Sequence, residues 1–120
     1  MDASDPKVVP LLLDVAHYQQ GGGDPIAAIS TYKDRIKVMH IKDVVSPGPP
    51  ADNGQPRAYQ FVELGRGKVP LPQVKTALDT IGFKGWAIVE LDSVPDKGKT
   101  PKDCAAANRD YVRQQLHLTI

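Results

Sequence analysis

A single cysteine, Cys104, stands in 120 residues, so neither an internal disulfide nor a thiolate metal cluster is available. Glutamate is almost as scarce: Glu63 and Glu90 are the only two, and the rest of the 14 acidic residues are aspartate. A dominant charge is missing as well. Fifteen Lys and Arg against 14 Asp and Glu leave a net charge of +1, which is no electrostatic footprint for nucleic acid or an anionic membrane. The longest apolar run, Val8 to Leu13, is six residues long and contains Pro10, whereas a membrane span needs roughly 20. The polar start Met1-Asp2-Ala3-Ser4-Asp5 lacks the basic and apolar regions of a signal peptide, so the default expectation is cytoplasmic. What is present is globular: 41% hydrophobic and 24% charged residues. At about 0.8 of a typical 150-residue domain, the length fits one small domain or a piece of a larger one.

The chain reads as strand, loop and helix three times over. Residues 1–7 form a polar leader, and residues 8–120 carry the alternation. Val8 to Leu13 has the near-continuous apolar character of a strand buried on both faces, and it stops at Asp14. After Gly21-Gly22-Gly23, Asp24 is placed to cap a helix with Pro25 in its first turn; Ile26, Ile29 and Lys33 continue the spacing to Arg35. Ile36 to Val45 is the second strand candidate, interrupted by His40, Lys42 and Asp43. Residues 46–57, with four prolines and two glycines, are expected to be an excursion loop. Leu71, Val74, Leu78 and Ile81 mark an amphipathic helix stopped by Gly82. Trp86 to Leu91 is the third strand, and Thr100, Pro101 and Asp103 open a final helix with a capping box.

Alternating strands and helices imply a parallel sheet with ligands beyond the carboxyl ends of its strands. That rule gathers three residues 26 and 50 apart in sequence into one place: Asp14, His40 and Glu90. One imidazole and two carboxylates suit a divalent cation such as Mn²⁺, Mg²⁺, Co²⁺ or Zn²⁺, completed by a fourth ligand or water. The glycines at 21–23 are a poor phosphate cradle, because Pro25 removes a donor and Asp24 repels anions. Glu63 and Arg66, beside a tight Gly65/Gly67 turn, are expected to face solvent, while Cys104 and His117 sit in the terminal helix without a chemical signal.

Four segments in unbroken order, Leu11-Leu12-Leu13-Asp14-Val15-Ala16-His17, Val38-Met39-His40-Ile41-Lys42-Asp43, Glu63-Leu64-Gly65-Arg66-Gly67 and Gly85-Trp86-Ala87-Ile88-Val89-Glu90-Leu91-Asp92, resemble the carboxy-terminal part of xylose-isomerase-like (β/α)₈ barrels. That superfamily holds sugar and sugar-phosphate isomerases and epimerases, ketose 3-epimerases and inosose dehydratase. The resemblance spans residues 8 to 116 and implies an α/β fold, a partial TIM (β/α)₈ barrel made of its last three parallel β/α units. It implies a metal held by one ligand from each of the last four strands. Asp14, His40 and Glu90 match three of them. The fourth, a glutamate about one unit before Asp14, has no counterpart in the 13 residues there. His17 matches a position that contacts substrate oxygens. Lys42 and Asp43 either orient a substrate hydroxyl or pair with each other.

The implied chemistry is metal-assisted proton abstraction beside the carbonyl of a small sugar or polyol ketone, with Glu90 as the base. A metal-dependent sugar or sugar-phosphate isomerase or epimerase is the first reading and an inosose-dehydratase-like lyase the second. A non-catalytic fragment or assembly module is the third, since a full barrel takes about 250 residues. Unpaired edge strands are expected to drive self-association or to await a missing amino-terminal barrel portion.

Overall fold

The computed structural model describes residues 3–45 and 59–119. The expected excursion loop at 46–57 lies outside the described residues. Among the described residues nine elements follow in order: β1 (Leu11–Asp14), α1 (Val15–Gln20), α2 (Pro25–Thr31), β2 (Ile36–Ile41), β3 (Asp43–Val45), β4 (Gln60–Val62), α3 (Leu71–Thr80), β5 (Trp86–Val89) and α4 (Pro101–Gln114). β1, β2 and β5 form one parallel sheet in that spatial order. Its core face is made by Leu13, Met39 and Ile41, packed with Ile29, Leu71, Val74 and Leu78 from the helices. None of the helices among the described residues is long and apolar enough to cross a membrane.

The local signals act as their chemistry requires. Asp24 accepts hydrogen bonds from Ile26 N and Ala27 N (2.8 and 3.2 Å), and Pro25 occupies the first turn of α2. The capping box of α4 is complete: Thr100 N donates to Asp103 Oδ2 (2.8 Å) and Asp103 N to Thr100 Oγ1 (3.2 Å). Gly82 ends α3 at φ +62°, a left-handed conformation that a side chain would strain.

Several boundaries differ from the sequence reading, each for a physical reason. β1 starts at Leu11 because Val8 N and Val9 N turn back to Asp5 O (3.1 and 2.9 Å) and Pro10 offers no donor. The run is not buried on both faces, since Val8 is 74% and Leu12 48% exposed. α1 was not anticipated; Asp14, at the end of β1, caps it. α2 ends at Thr31, four residues before Arg35. The expected second strand divides at Lys42. β2 stays in the parallel sheet, while β3 leaves it to pair antiparallel with β4, Val44 opposite Phe61. β5 ends at Val89 rather than Leu91.

Asp43 explains how the β3–β4 arm and the following loop hold together. Its Oδ1 accepts from Val44 N and Val69 N (2.9 and 3.0 Å), and its Oδ2 from Gly65 N and Gly67 N (2.9 and 2.8 Å). A methyl group on Gly67 would come within 2.1 Å of Asp43 Oδ1 and 2.6 Å of Val44 N, so the Gly65-Arg66-Gly67 turn needs glycine there for close approach.

Candidate metal centre

Sheet register brings the first two site residues side by side: Asp14 is paired with His40 across β1 and β2. Glu90 follows β5 directly, and its N–H donates to Ile41 O (3.2 Å), extending the ladder by one bond at this end of the sheet. The result is a cluster in which one ligand atom each of Asp14, His40 and Glu90 lies within 4.8 Å of the other two. His40 Nδ1 is 2.8 Å from Glu90 Oε2 and 3.7 Å from Asp14 Oδ2.

Asp14 divides its carboxylate between two tasks. Oδ1 accepts from Ala16 N and His17 N, both at 2.9 Å, and so begins α1. Oδ2 points the other way, toward His40 Nδ1, Lys42 Nζ (3.7 Å) and His17 Nε2 (3.9 Å). The helix cap thereby fixes the orientation of an oxygen that it does not itself use.

These residues fit a divalent cation. Two donors on one ion at about 2.1 Å stand about 3.0 to 3.4 Å apart in octahedral or tetrahedral geometry. The two separations of 2.8 and 3.7 Å from His40 Nδ1 bracket that range, so rotamer adjustments of a few tenths of an ångström would admit the ion. Electrostatics agree. Asp14, Glu90 and Asp92 present three carboxylates to the single ammonium of Lys42, an excess of negative charge that a divalent cation would balance.

Lys42 is almost fully buried at the centre of this group. Nζ donates to Asp92 Oδ1 at 2.8 Å and lies 3.1 Å from Glu90 Oε2 and 3.3 Å from His17 Nε2. It also sits 4.4 Å from the centre of the Phe61 ring, which tilts against the His17 ring at 5.0 Å. Burial pushes the Lys42 pKa down, but Asp92, Glu90 and Asp14 outweigh it, and the net shift is upward. The Lys42 ammonium, helped by His40, holds the Glu90 carboxyl below its ordinary range against the opposing effect of burial. Both groups are therefore charged at neutral pH.

The structure brings Asp14, His17, His40, Lys42 and Glu90 together and gives Asp43 another task. Asp43 is fully buried, and both its oxygens are committed to the four loop amides, so it neither faces a substrate nor pairs with Lys42. Two residues of the cluster were not singled out from sequence. Asp92 had a signal, since i and i+2 along an extended segment share a side and Glu90 was already chosen. Phe61 had none, because it arrives through the β3–β4 pairing.

Glu63 also departs from expectation. Rather than facing solvent it is 2% exposed, held by Lys99 Nζ (2.7 Å) and by Arg66. Both cations also reach Asp96, Lys99 at 2.9 Å and Arg66 at 2.7 Å, so the segment between β5 and α4 is tied down behind Asp92. Burial alone would raise the Glu63 pKa; Lys99, its own backbone amide and Arg66 overcome it and pull the group to about 2. A depressed carboxyl stabilises the folded state fully above its unfolded value near 4.5, and that contribution is lost as pH falls toward about 2. The stability gap between the parent and Glu63→Gln is therefore expected to be wide at pH 6 and to narrow sharply by pH 2.5. Urea midpoints at both pH values measure it, and a pH-independent gap would contradict the assignment.

Comparison with known proteins gives the family and the fold. Residues 1–115 match the model of the xylose isomerase-like TIM barrel family. The inosose dehydratase of Geobacillus thermodenitrificans is 31% identical over 125 residues, covering 98% of this chain and 42% of that protein. The inosose dehydratase of Lacticaseibacillus casei is 28% identical, with 98% and 42% covered. Among solved structures, a sugar phosphate isomerase/epimerase from Parabacteroides distasonis superposes with a TM-score of 0.73 at 25% identity, over 94% of this chain and 34% of that one. A xylose isomerase domain protein from Planctomyces limnophilus shares the fold, with a TM-score of 0.64 at 23% identity, over 90% of this chain and 37% of that one. The chain thus spans about two-fifths of the length of the curated relatives it matches.

Proposed function

The chain belongs to the xylose isomerase-like TIM barrel family, and from that premise we propose that it carries three-quarters of a divalent-metal centre for proton abstraction beside the carbonyl of an uncharged sugar or polyol ketone. The observation that carries this reading is the convergence of Asp14 Oδ2, His40 Nδ1 and Glu90 Oε2 at one end of the parallel sheet.

A divalent ion bound there supplies Lewis-acid polarisation of the carbonyl and charge stabilisation of the enediolate. The remaining work belongs to this chain's residues. Asp14, His40 and Glu90 hold the ion. Glu90 takes the proton from the carbon next to the carbonyl, and the electron pair of that C–H bond moves into the enediolate. Its pKa, held down by Lys42, keeps it in the basic form. His17, exposed beside the cluster and 3.3 Å from Lys42 Nζ, orients substrate oxygens, while the buried Lys42 ammonium holds Glu90, Asp92 and Asp14 in place. The Phe61 ring packs against the His17 and Lys42 side chains. Return of the proton by Glu90 to the neighbouring carbon gives an isomer, whereas an epimer requires a second acid, unmatched in this chain, to protonate the same carbon on its opposite face.

Charge favours an uncharged substrate over a sugar phosphate. Barrels of this kind frequently bind phosphate with the loops after strands seven and eight and a helix N-terminus. Here the segment after β5 carries Lys97 and Lys99 beside Asp92 and Asp96, with Lys99 bound to Glu63 and Asp96; α4 is closed by its own capping box, and Lys42 is engaged by carboxylates, so no free cation or helix N-terminus stands at the cluster among the described residues. The same argument supports a second outcome, loss of a β-hydroxyl from a polyol ketone, which is the reaction named for the inosose dehydratase relatives.

With one ligand of the family pattern unmatched, the isolated chain is expected to bind Mn²⁺ weakly at one site and to turn over no simple ketose or inosose at enzyme-like rates of about 1 to 1,000 per second. Titration of Mn²⁺ followed by electron paramagnetic resonance, with assays on both substrate types, tests this. Saturable binding lost in His40→Ala supports the centre; binding indifferent to His40→Ala overturns it. Turnover in that range would overturn the incompleteness.

A further inference from the structure

The Lys42 ammonium stands on the two oxygens that an ion at the metal centre would use. Nζ is 3.1 Å from Glu90 Oε2 and 3.7 Å from Asp14 Oδ2, and the same two atoms lie 2.8 and 3.7 Å from His40 Nδ1. An ammonium and a divalent ion on shared oxygens repel each other and divide the attraction of both carboxylates. Lys42 is 1% exposed, so it does not give way by turning out to water. Among the described residues one carboxylate outside the ligand set touches Nζ. It is Asp92, whose Oδ1 at 2.8 Å makes the shortest of the three carboxylate contacts. Asp92 lies beyond β5 in irregular chain and is 41% exposed, so its place has to come from Lys42 and from ties on the segment that follows it. Three such ties exist. Gln60 Nε2 donates to Pro95 O (3.3 Å), Arg66 reaches both oxygens of Asp96 (2.7 and 3.2 Å), and Lys99 Nζ pairs with the buried Glu63 (2.7 Å).

We propose that Asp92 is the counter-ion that detains the Lys42 ammonium and so keeps it from competing with a bound divalent ion for Glu90 and Asp14. Asp92 is then a positioning residue that sets metal affinity through Lys42, with its own Oδ1 committed to the ammonium rather than to the ion. The inference rests on the metal-centre reading. Three carboxylates around one ammonium leave two negative charges, the complement of a divalent ion. Without the Asp92 charge a single one remains, and the ammonium turns wholly to the two ligand oxygens. The ties at Pro95, Asp96 and Lys99 hold Asp92 where this division of labour needs it, and they belong to β4 and the turn after it rather than to the sheet that carries the ligands.

The test is a Mn²⁺ titration of the full chain, read by electron paramagnetic resonance, with His40→Ala as the control for the centre itself. Binding indifferent to His40→Ala removes the metal-centre reading and this inference with it. Where binding depends on His40, Asp92→Asn is expected to weaken it about tenfold, as loss of a partner behind the ligands does. Asp92→Glu, which restores the charge, is expected to stay within about twofold of the parent. In a Lys42→Met background no ammonium is left to redirect, and the direct pull of an exposed carboxylate is screened, so Asp92→Asn is expected to change affinity by less than about twofold. A second readout needs no Lys42 variant and decides the matter where Lys42→Met does not fold. With diamagnetic Zn²⁺ bound, the Lys42 ammonium resonance, assigned through its contact with the Phe61 ring, is expected to persist in the parent and to broaden into solvent exchange in Asp92→Asn. Three results overturn the role of Asp92 and leave the metal centre standing: Mn²⁺ affinity unchanged in Asp92→Asn although lost in His40→Ala, a loss undiminished in the Lys42→Met background, which would make Asp92 a ligand, or an ammonium signal indifferent to Asp92→Asn.

Discussion

Asp43→Ala is expected to destabilise the chain by about 3 to 5 kcal/mol, the largest effect of any single substitution considered, because it strips acceptors from four backbone N–H groups at once. Val44, Gly65, Gly67 and Val69 all donate to this one carboxylate at 2.8 to 3.0 Å. Asp43 and Val44 are fully buried and Val69 nearly so, so water cannot readily replace the oxygen lost by the Val44 and Val69 amides, while the Gly65 and Gly67 amides are part-buried. Native domains have only about 5 to 15 kcal/mol in total, so a loss of this size leaves a substantial unfolded population. Asp43→Asn is expected to fall between. The amide retains one oxygen for two of the donors and turns an NH₂ group toward the other two, setting donor against donor. Urea denaturation of the three proteins ranks them. A cost below about 1 kcal/mol for the alanine variant would mean that the loop amides find other partners.

Asp14→Asn is expected to separate metal binding from folding. Asparagine caps a helix as well as aspartate does, so the Oδ1 bonds to Ala16 N and His17 N survive and stability should change by less than about 0.5 kcal/mol. The charge on the side facing His40 and Lys42 is gone, and the amide is a poorer ligand than a carboxylate. Mn²⁺ affinity is therefore expected to fall at least tenfold. Asp14→Ala removes both functions, adding the loss of a cap worth about 1 kcal/mol to the loss of metal. Thermal unfolding without metal reads the first effect and paramagnetic titration the second. Unchanged Mn²⁺ affinity in Asp14→Asn would remove Asp14 from the ligand set. Equal destabilisation by Asn and Ala would instead deny it the cap.

Features readable from sequence were those whose cause lies within a few residues or in a general rule of topology. Asp24 with Pro25, and Thr100 with Asp103, are helix starts because a side-chain oxygen finds a backbone N–H two or three residues on. Leu71, Val74 and Leu78 turn one face inward because 3.6 residues make a turn. The grouping of Asp14, His40 and Glu90 was legible despite its long separations, since parallel strands joined by crossovers align their carboxyl ends. No such rule announces the departure of β3 from the sheet, which follows from pairing Asp43–Val45 with Gln60–Val62 across an intervening segment of chain.

Tertiary structure alone therefore decided the roles of four residues. Asp43 became a loop organiser because its carboxylate meets amides 22 to 26 residues away. Glu63 was buried with its charge met by Lys99, from the segment after β5, and by Arg66. Phe61 came to lie against His17 and Lys42 through a strand pairing with no local signature. Lys42 was drawn inside by carboxylates from two other strand ends. By itself the amino-acid sequence determined which groups could bind a cation and at which end of the sheet they stand, because those depend on residue type and strand direction. Which oxygen is free, which charge is paired and which edge is bare depend on distances between segments far apart in the chain, and only the folded molecule sets them.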